Sequence, residues 1–535
     1  MSLGLEKELE KIIRGDVYTD EQTLERFSRD ASMFEVRPSA VVTPKDVEDI
    51  KALVKYAAEN PSVSLTPSAG RSDMSGGVLT ESIILDFTRH FNRIKEIGDD
   101  YAVVEPGVYY RDFEKETLKR GLLLPSYPAS KDLAAIGGMV ANNSGGEKTL
   151  AYGKTEEYIR ELKAVLADGN EYAFRALGEE ELKEKLELKT FEGEIYRRTH
   201  KLLSDHYQAV KLAKPKVTKN SAGYYLWNVW DKETGLFDLT KLFVGSQGTL
   251  GIITEVTFRL VRPKPHSKLL VIFLRDIGKL ADIVKEIRRF NPESLESYDD
   301  KTLKLVASNI IKLAFKFLPE AKMVLTGGWP KLILMAEFTG ESVGEVEERA
   351  KEAAKNLKKF RISTHLVKDG SEAQKYWRVR REAFNLLRSP SRKKRSVPFI
   401  DDLIVRPEKL PEFLPRLYNL LDSYKDKMTY AVGGHPGDGN LHIYSIVDIN
   451  DRAVRAIIPE VMDKVYTLTI ELGGSITAEH NDGLVRTPYL KKMYGENIIQ
   501  LFEETKNIFD PKNIFNPGKK VGGDFDYVLK HIKTS

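Results

Sequence analysis

Apolar positions along the chain repeat with two periods, and stretches of each alternate. Val47, Ile50, Val54 and Ala57 share one face of a helix predicted over 45–59. Short apolar runs at 41–43 and 62–66 flank it, so strand, helix and strand form an α/β unit. Residues 1–35 read as one or two amphipathic helices. Short strands are predicted at 83–87 and 102–104, a turn and helix within 107–119, and a charged helical stretch over 176–210. The β-branched run 242–254, around Gly245, Gly248 and Gly251, predicts a buried strand passing close to a ligand. Pro263 and Pro265 mark a boundary. Beyond it, strands at 269–273 and 332–337 alternate with helices at 277–290 and 342–359, which suggests a second domain built on an antiparallel sheet. A last helix is predicted over 489–507.

Composition narrows the class. The 535 residues suffice for two or three domains with their own cores. Basic and acidic residues nearly balance, 83 against 79, which gives no warrant for nucleic-acid binding. There is no cysteine, which excludes disulfides, thiolate metal sites and a cysteine-held iron–sulfur cluster on this chain. The first residues carry no apolar core of signal-peptide length, and no run approaches the roughly 20 apolar residues of a membrane span. A cytoplasmic location is the expectation. Residues 303–319 are apolar, basic and free of acids. Such a helix is more often a cap or partner-facing element, and less often one that rests on an anionic membrane surface.

Candidate chemistry gathers in Gly434-His435-Pro436-Gly437-Asp438-Gly439-Asn440-Leu441-His442. Proline and two glycines break any helix, and the bend allows two imidazoles seven residues apart to meet. Glu479, beside His480, supplies a carboxylate. Two imidazoles and a carboxylate suit a divalent transition metal with an open position; two unrelated surface loops are an equally weighted reading of the spacing alone. In 67–77 the small residues around Ser68, Ala69, Gly70, Arg71 and Ser72 let backbone N–H groups form a nest for an anion, where the alternative is an ordinary surface loop. The pairs Gly137-Gly138 and Gly145-Gly146 let backbone approach a flat ligand, or else mark a tightly packed turn. Neither a Rossmann fingerprint nor a P-loop is present.

Taken together, His-Pro-Gly-Asp-Gly-Asn-Leu-His, Glu479-His480, Gly-Ser-Gln-Gly-Thr-Leu-Gly-Ile-Ile-Thr at 245–254 and Asn516-Pro517-Gly518-Lys519 resemble the motifs of FAD-linked 2-hydroxyacid dehydrogenases, in the same order. That family includes D-lactate and D-2-hydroxyglutarate dehydrogenases and the flavin subunit of glycolate oxidase. The resemblance implies an α+β fold: a two-part FAD-binding domain of the vanillyl-alcohol-oxidase type (1–262), a cap domain on an antiparallel sheet with the metal loop (263–475) and a C-terminal helical segment returning to the FAD domain (476–535). It implies FAD near Ser68, Ala69, Gly70, Arg71, Ser72, Pro128, Gly137, Gly138, Asn143, Gly145, Gly153, Ile253 and Asn516. The FAD is expected to be non-covalent, since no histidine stands in the first loop. It further implies Zn²⁺ or Mn²⁺ on His435, His442 and Glu479, His480 as general base, and Arg380 gripping the substrate carboxylate with Asn440 donating a hydrogen bond to it. Lys393 or Lys394 is a further candidate partner for that carboxylate, and Asp402 matches an acidic position near the metal.

The implied reaction is oxidation of an R-configured 2-hydroxy acid to a 2-oxo acid. Electrons then pass to a separate acceptor: an iron–sulfur protein, an electron-transferring flavoprotein, a cytochrome or a quinone. The rival readings are a non-redox alkyl-transferring FAD enzyme, against which the lack of a His-rich run speaks, a flavoprotein subunit of a larger electron-transfer complex, and a metal-binding module without flavin. Relatives have Gly where this chain has Asn481, a departure that either preserves a left-handed turn or reshapes the pocket.

Overall fold

The computed structural model describes residues 2–302, 330–387 and 394–533, with side chains withheld at 2–3 and 381–387. The expected 303–319 helix and Lys393 lie outside the described residues, while Lys394 is exposed.

The Val47–Glu59 helix starts at Asp46, whose carboxylate accepts the amides of Glu48 and Asp49. It buries Ile50, Leu53, Val54 and Ala57 against a four-stranded sheet ordered Asp16–Tyr18, Ala40–Thr43, Ile83–Asp86, Leu65–Ser68. The last three strands are parallel, as the strand–helix–strand pattern requires. A second sheet of seven antiparallel strands runs Ile94–Ile97, Tyr101–Val104, Ile252–Arg259, Ile159–Val165, Glu171–Leu177, Leu236–Asp238, Trp230–Asp231.

A third, antiparallel sheet is ordered Ser363–Leu366, His266–Leu274, Leu332–Gly340, Ser294–Asp299, Thr429–His435, Asn440–Val447, Arg395–Ser396, and Leu403–Ile404 also pairs with Asn440–Val447. Strand alternation divides its two faces. Leu270, Ile272 and Leu274 join the core with the Leu280–Arg288 and Val343–Leu357 helices. Leu269, Val271 and Phe273 meet Tyr376 and Val379 of the Gly370–Leu387 helix on the other face. That second contact holds Arg380 against the Ser294–Asp299 strand, where it pairs with Glu296.

The C-terminal segment closes the molecule. Glu496–Phe509 buries Leu501, Phe502, Ile508 and Phe509 in the core of the second sheet, and Phe515 bridges to Leu65 of the first. Asn516 then donates to the carbonyls of Gly77 (2.8 Å) and Gln247 (2.7 Å) and accepts from the Thr66 hydroxyl at 3.2 Å. One amide thus ties the C-terminal segment to three segments of the N-terminal half.

Three elements differ from the sequence expectation. The 242–254 stretch is not one strand: Gly245, Gln247, Gly248 and Gly251 all take positive φ, and the strand begins only at Ile252. The glycines form a turn because a left-handed backbone cannot continue a β ladder. The 489–507 helix is broken at Gly495, φ +78°, into Leu490–Tyr494 and Glu496–Phe509. Between the two N-terminal helices, Asp16–Tyr18 leaves the helical pattern to pair with Ala40–Thr43.

Asn516→Ala strips partners from two buried carbonyls and a buried hydroxyl. Urea unfolding should show a loss of about 1–3 kcal/mol; an unchanged midpoint would mean that this amide does not tie the segments.

Candidate functional site

The hairpin Thr429–His435/Asn440–Val447 sets the geometry. His435 pairs with Asn440, and His442 lies two residues further along the same strand, so both imidazoles share one face. The turn needs its glycines. Gly439 has φ +81°, and a Cβ there would lie 1.9 Å from the Val405 carbonyl oxygen. The two Nε2 atoms stand 3.3 Å apart, and Glu479 Oε1 is 3.4 Å from His435 Nε2.

Each imidazole is aimed from behind by a carboxylate. His435 Nδ1 lies 2.5 Å from Glu296 Oε1, and His442 Nδ1 3.2 Å from Asp401 Oδ1. A carboxylate only accepts, so each ring carries a proton on Nδ1, and Nε2 is the atom that each ring turns inward. Asp401 also faces His480, whose Nδ1 is 3.3 Å from Oδ2, and the His442 and His480 rings stack at 5.1 Å. Burial lowers the His480 pKa, but Asp402 and Asp401 outweigh it and raise it to about 9; a divalent cation nearby would act the other way. Burial pushes the Asp401 carboxyl up, yet His442 and His480 hold it well below the usual carboxylate range.

Asp402, His442, Glu479 and His480 also bring one ligand atom each within 4.8 Å of one another. Asp402, however, is an anchor. Its Oδ2 accepts from the Thr477 hydroxyl (2.7 Å) and from the backbone amides of Ala478 (2.9 Å), Glu479 (2.8 Å) and His480 (2.7 Å), which fixes the turn that presents Glu479. Lys219, fully buried, holds Glu479 Oε1 at 2.5 Å and Asp438 Oδ2 at 3.1 Å. Burial alone would lower the Lys219 pKa, but these carboxylates raise it.

The remaining donors and acceptors suit a ligand. Separations of 3.3–3.4 Å between inward lone pairs match neighbouring ligands of an ion bonded at about 2.0–2.1 Å. The chemistry of this donor set therefore fits a divalent metal. Arg380 pairs with Glu296 through Nη2, while its Nε is buried with no hydrogen-bond partner among the described residues. Asn440 corrects an expectation. Its amide nitrogen is spent on Asp402 Oδ1 and the Leu403 carbonyl, both at 3.1 Å, so the atom left over is the acceptor Oδ1 rather than a donor for a carboxylate.

The expected flavin residues fall in segments that meet. Gly70 abuts the Leu133 carbonyl and Ala135 amide so closely that a Cβ would lie 2.3 Å from the former, and Gly137 abuts Pro106 in the same way. Gly138 faces open space, and the Ser68 and Ser246 hydroxyls are buried without partners among the described residues. Arg71 contributes a left-handed backbone, φ +51°, while its guanidinium turns away onto the Phe27 ring. Asn143 closes the Ile136–Asn142 helix at φ +50° and accepts the Glu156 amide. Gly145 and Gly146 pack on Thr149 and on Tyr127-Pro128, Gly153 turns with φ +75°, and Ile253 is half-buried opposite Ala164. Ala69 and Ser72 are half-buried, as is Pro128. Asn481 keeps the turn, φ +67°, and sends its side chain to the Gly245 carbonyl (2.9 Å) and Lys520 (2.7 Å). It bolts the His480 turn to the FAD-binding half.

Sequence reasoning missed Glu296, Asp401 and Lys219. Asp401 adjoins Asp402, and Lys219 precedes Asn220-Ser221. The only signal for Glu296 is a charge inside Ser-Leu-Glu-Ser-Tyr-Asp, a strand the pattern did not predict.

Residues 38–174 match the model of the FAD binding domain, and 263–520 that of the C-terminal domain of FAD linked oxidases. A D-2-hydroxyglutarate dehydrogenase of Pantoea ananatis is 27% identical over 94% of this chain and 50% of that protein. The chain thus spans about half the length of this curated relative. The glycolate oxidase subunit GlcD of Bacillus subtilis is 29% identical over 93% of this chain and 92% of that protein. The solved structure of a 4-ethylphenol oxidase from Gulosibacter chungangensis superposes with a TM-score of 0.69 at 17% identity, over 98% of each chain, and shows the same fold.

Gly439→Ala should destabilise the hairpin by about 1–3 kcal/mol from backbone conformation alone, with the Val405 clash added. Thermal melting checks this, and an unchanged melting temperature would contradict the turn geometry.

Proposed function

The chain belongs to the FAD-linked oxidases, and we propose that it is a metal-assisted dehydrogenase of R-configured 2-hydroxy acids. The observation that carries this reading is the convergence of His435 Nε2, His442 Nε2 and Glu479 Oε1 beside His480 and the unpartnered Nε of Arg380. Relatives named for 2-hydroxy acids, glycolate and D-2-hydroxyglutarate, support it.

FAD, seated against Gly138 and the 68–72, 143–146 and 516 segments, would supply the acceptor for the hydride leaving C2. Zinc or manganese on His435, His442 and Glu479 would supply Lewis-acid polarisation of the substrate hydroxyl. The chain's own residues do the rest. Arg380 offers Nε to the carboxylate, in the planar geometry that suits it. His480 takes the hydroxyl proton on Nε2, because Asp401 fixes its Nδ1. Asn440 Oδ1 turns an acceptor towards the substrate, which suits a hydroxyl. With no cysteine to hold an iron–sulfur cluster, the electrons leave to a separate acceptor.

Among the described residues no helix is long and apolar enough to cross a membrane.

Anaerobic mixing of the purified flavoprotein with D- and L-2-hydroxy acids tests the reading. A D-acid should bleach the flavin band, and chelation should abolish the bleaching. His480→Ala should slow it by about 10²–10⁴-fold with the resting spectrum unchanged. Bleaching by no hydroxy acid, or bleaching at full rate in His480→Ala, would sink it.

A further inference from the structure

Glu296 is 1% exposed, on a strand whose six residues are all buried. Each of its carboxylate oxygens faces a different partner. Oε1 takes His435 Nδ1 at 2.5 Å, and Oε2 forms an ion pair with Arg380 Nη2, without hydrogen-bond geometry. Its two partners come from different elements: His435 ends a hairpin strand, and Arg380 lies on the Gly370–Leu387 helix. The strand that carries Glu296 runs between them, hydrogen-bonded to the hairpin through Ser297 and Tyr298. One buried carboxylate thus faces an imidazole and a guanidinium at once.

We propose that Glu296 is a positioning residue shared by the metal ligand His435 and the substrate-binding Arg380. This rests on the function proposed above. Towards His435, its oxygen holds the proton on Nδ1 and leaves the Nε2 lone pair free for the ion. Towards Arg380, it pairs with Nη2 and leaves Nε, buried and without a hydrogen-bond partner among the described residues, available for a carboxylate. A plain counter-ion for Arg380 would need only one oxygen and would leave His435 free to adopt either tautomer. The second oxygen, directed at the imidazole, is the feature such a counter-ion lacks. Asp401 repeats the arrangement on the other side, between His442 and His480. Each ligand histidine therefore shares its outer carboxylate with a group directed at the substrate.

The test uses the full-length flavoprotein. In Glu296→Gln, zinc should bind about 10- to 100-fold more weakly in competition with a chromophoric chelator. KM for the 2-hydroxy acid should rise while the flavin spectrum stays that of the wild type. Glu296→Asp keeps the charge but is one methylene shorter, so it should restore zinc affinity or KM but not both. In case neither variant folds, ¹⁵N-histidine NMR of the wild type reads the tautomer directly: His435 should carry its proton on Nδ1. Zinc affinity and KM both within twofold of wild type in a folded variant would overturn the inference, as would an Nε2 proton on His435. If the wild type takes up no zinc, or takes up as much after His442→Ala, the metal site itself fails. A null result confined to the Glu296 variants fails only the shared role.

Discussion

Three candidate ligand atoms, His435 Nε2, His442 Nε2 and Glu479 Oε1, are brought together in the buried interior. Such a convergence is unfavourable unless positive charge lies within it. The surrounding structure works to hold it. The Pro436–Gly439 turn brings the imidazoles onto one face, Glu296 and Asp401 fix their tautomers, and Asp402 gathers four donors to lock the turn that carries Glu479. Lys219 places a buried cation against the same carboxylate oxygen. Removing any one of these loosens the constraint on the others.

The same constraint links the two halves of the molecule. The hairpin belongs to the third sheet, whereas Lys219 comes from the N-terminal half, in a segment that the Gly223 amide ties to Asp482. Asn481 and Lys520 tie the Glu479-His480 turn to the Gly245 carbonyl, and Asn516 ties the C-terminal segment to Gly77 and Gln247. Lys148, beside the Gly145-Gly146 pair, pairs with Glu293, three residues before Glu296. A ligand held at Arg380 would therefore lie between two halves whose spacing is set by buried polar contacts. Apolar packing would tolerate sliding; buried hydrogen bonds do not.

Much of this was legible in the sequence because the signals are local. The His-Pro-Gly-Asp-Gly-Asn-Leu-His bend, the Glu479-His480 pair and the helix over 45–59 each depend on residues close in the chain. The turn at 244–251 was misread as strand because its β-branched neighbours outweighed glycines whose positive φ only the fold reveals. Glu296 was missed for another reason: its partners lie 84 and 139 residues away, and nothing in its own strand announces them. Asn440 shows the limit of a motif. The residue stands where expected, but its amide nitrogen is spent inside the protein on Asp402 and Leu403.

Anomalous diffraction from crystals of the native flavoprotein, collected at the zinc and manganese edges, tests the central claim most directly. A single peak bonded to His435 Nε2, His442 Nε2 and Glu479 Oε1 is the expected result. An empty site, with His435 Nε2 hydrogen-bonded straight to His442 Nε2, would mean that a proton rather than a metal holds the three lone pairs together.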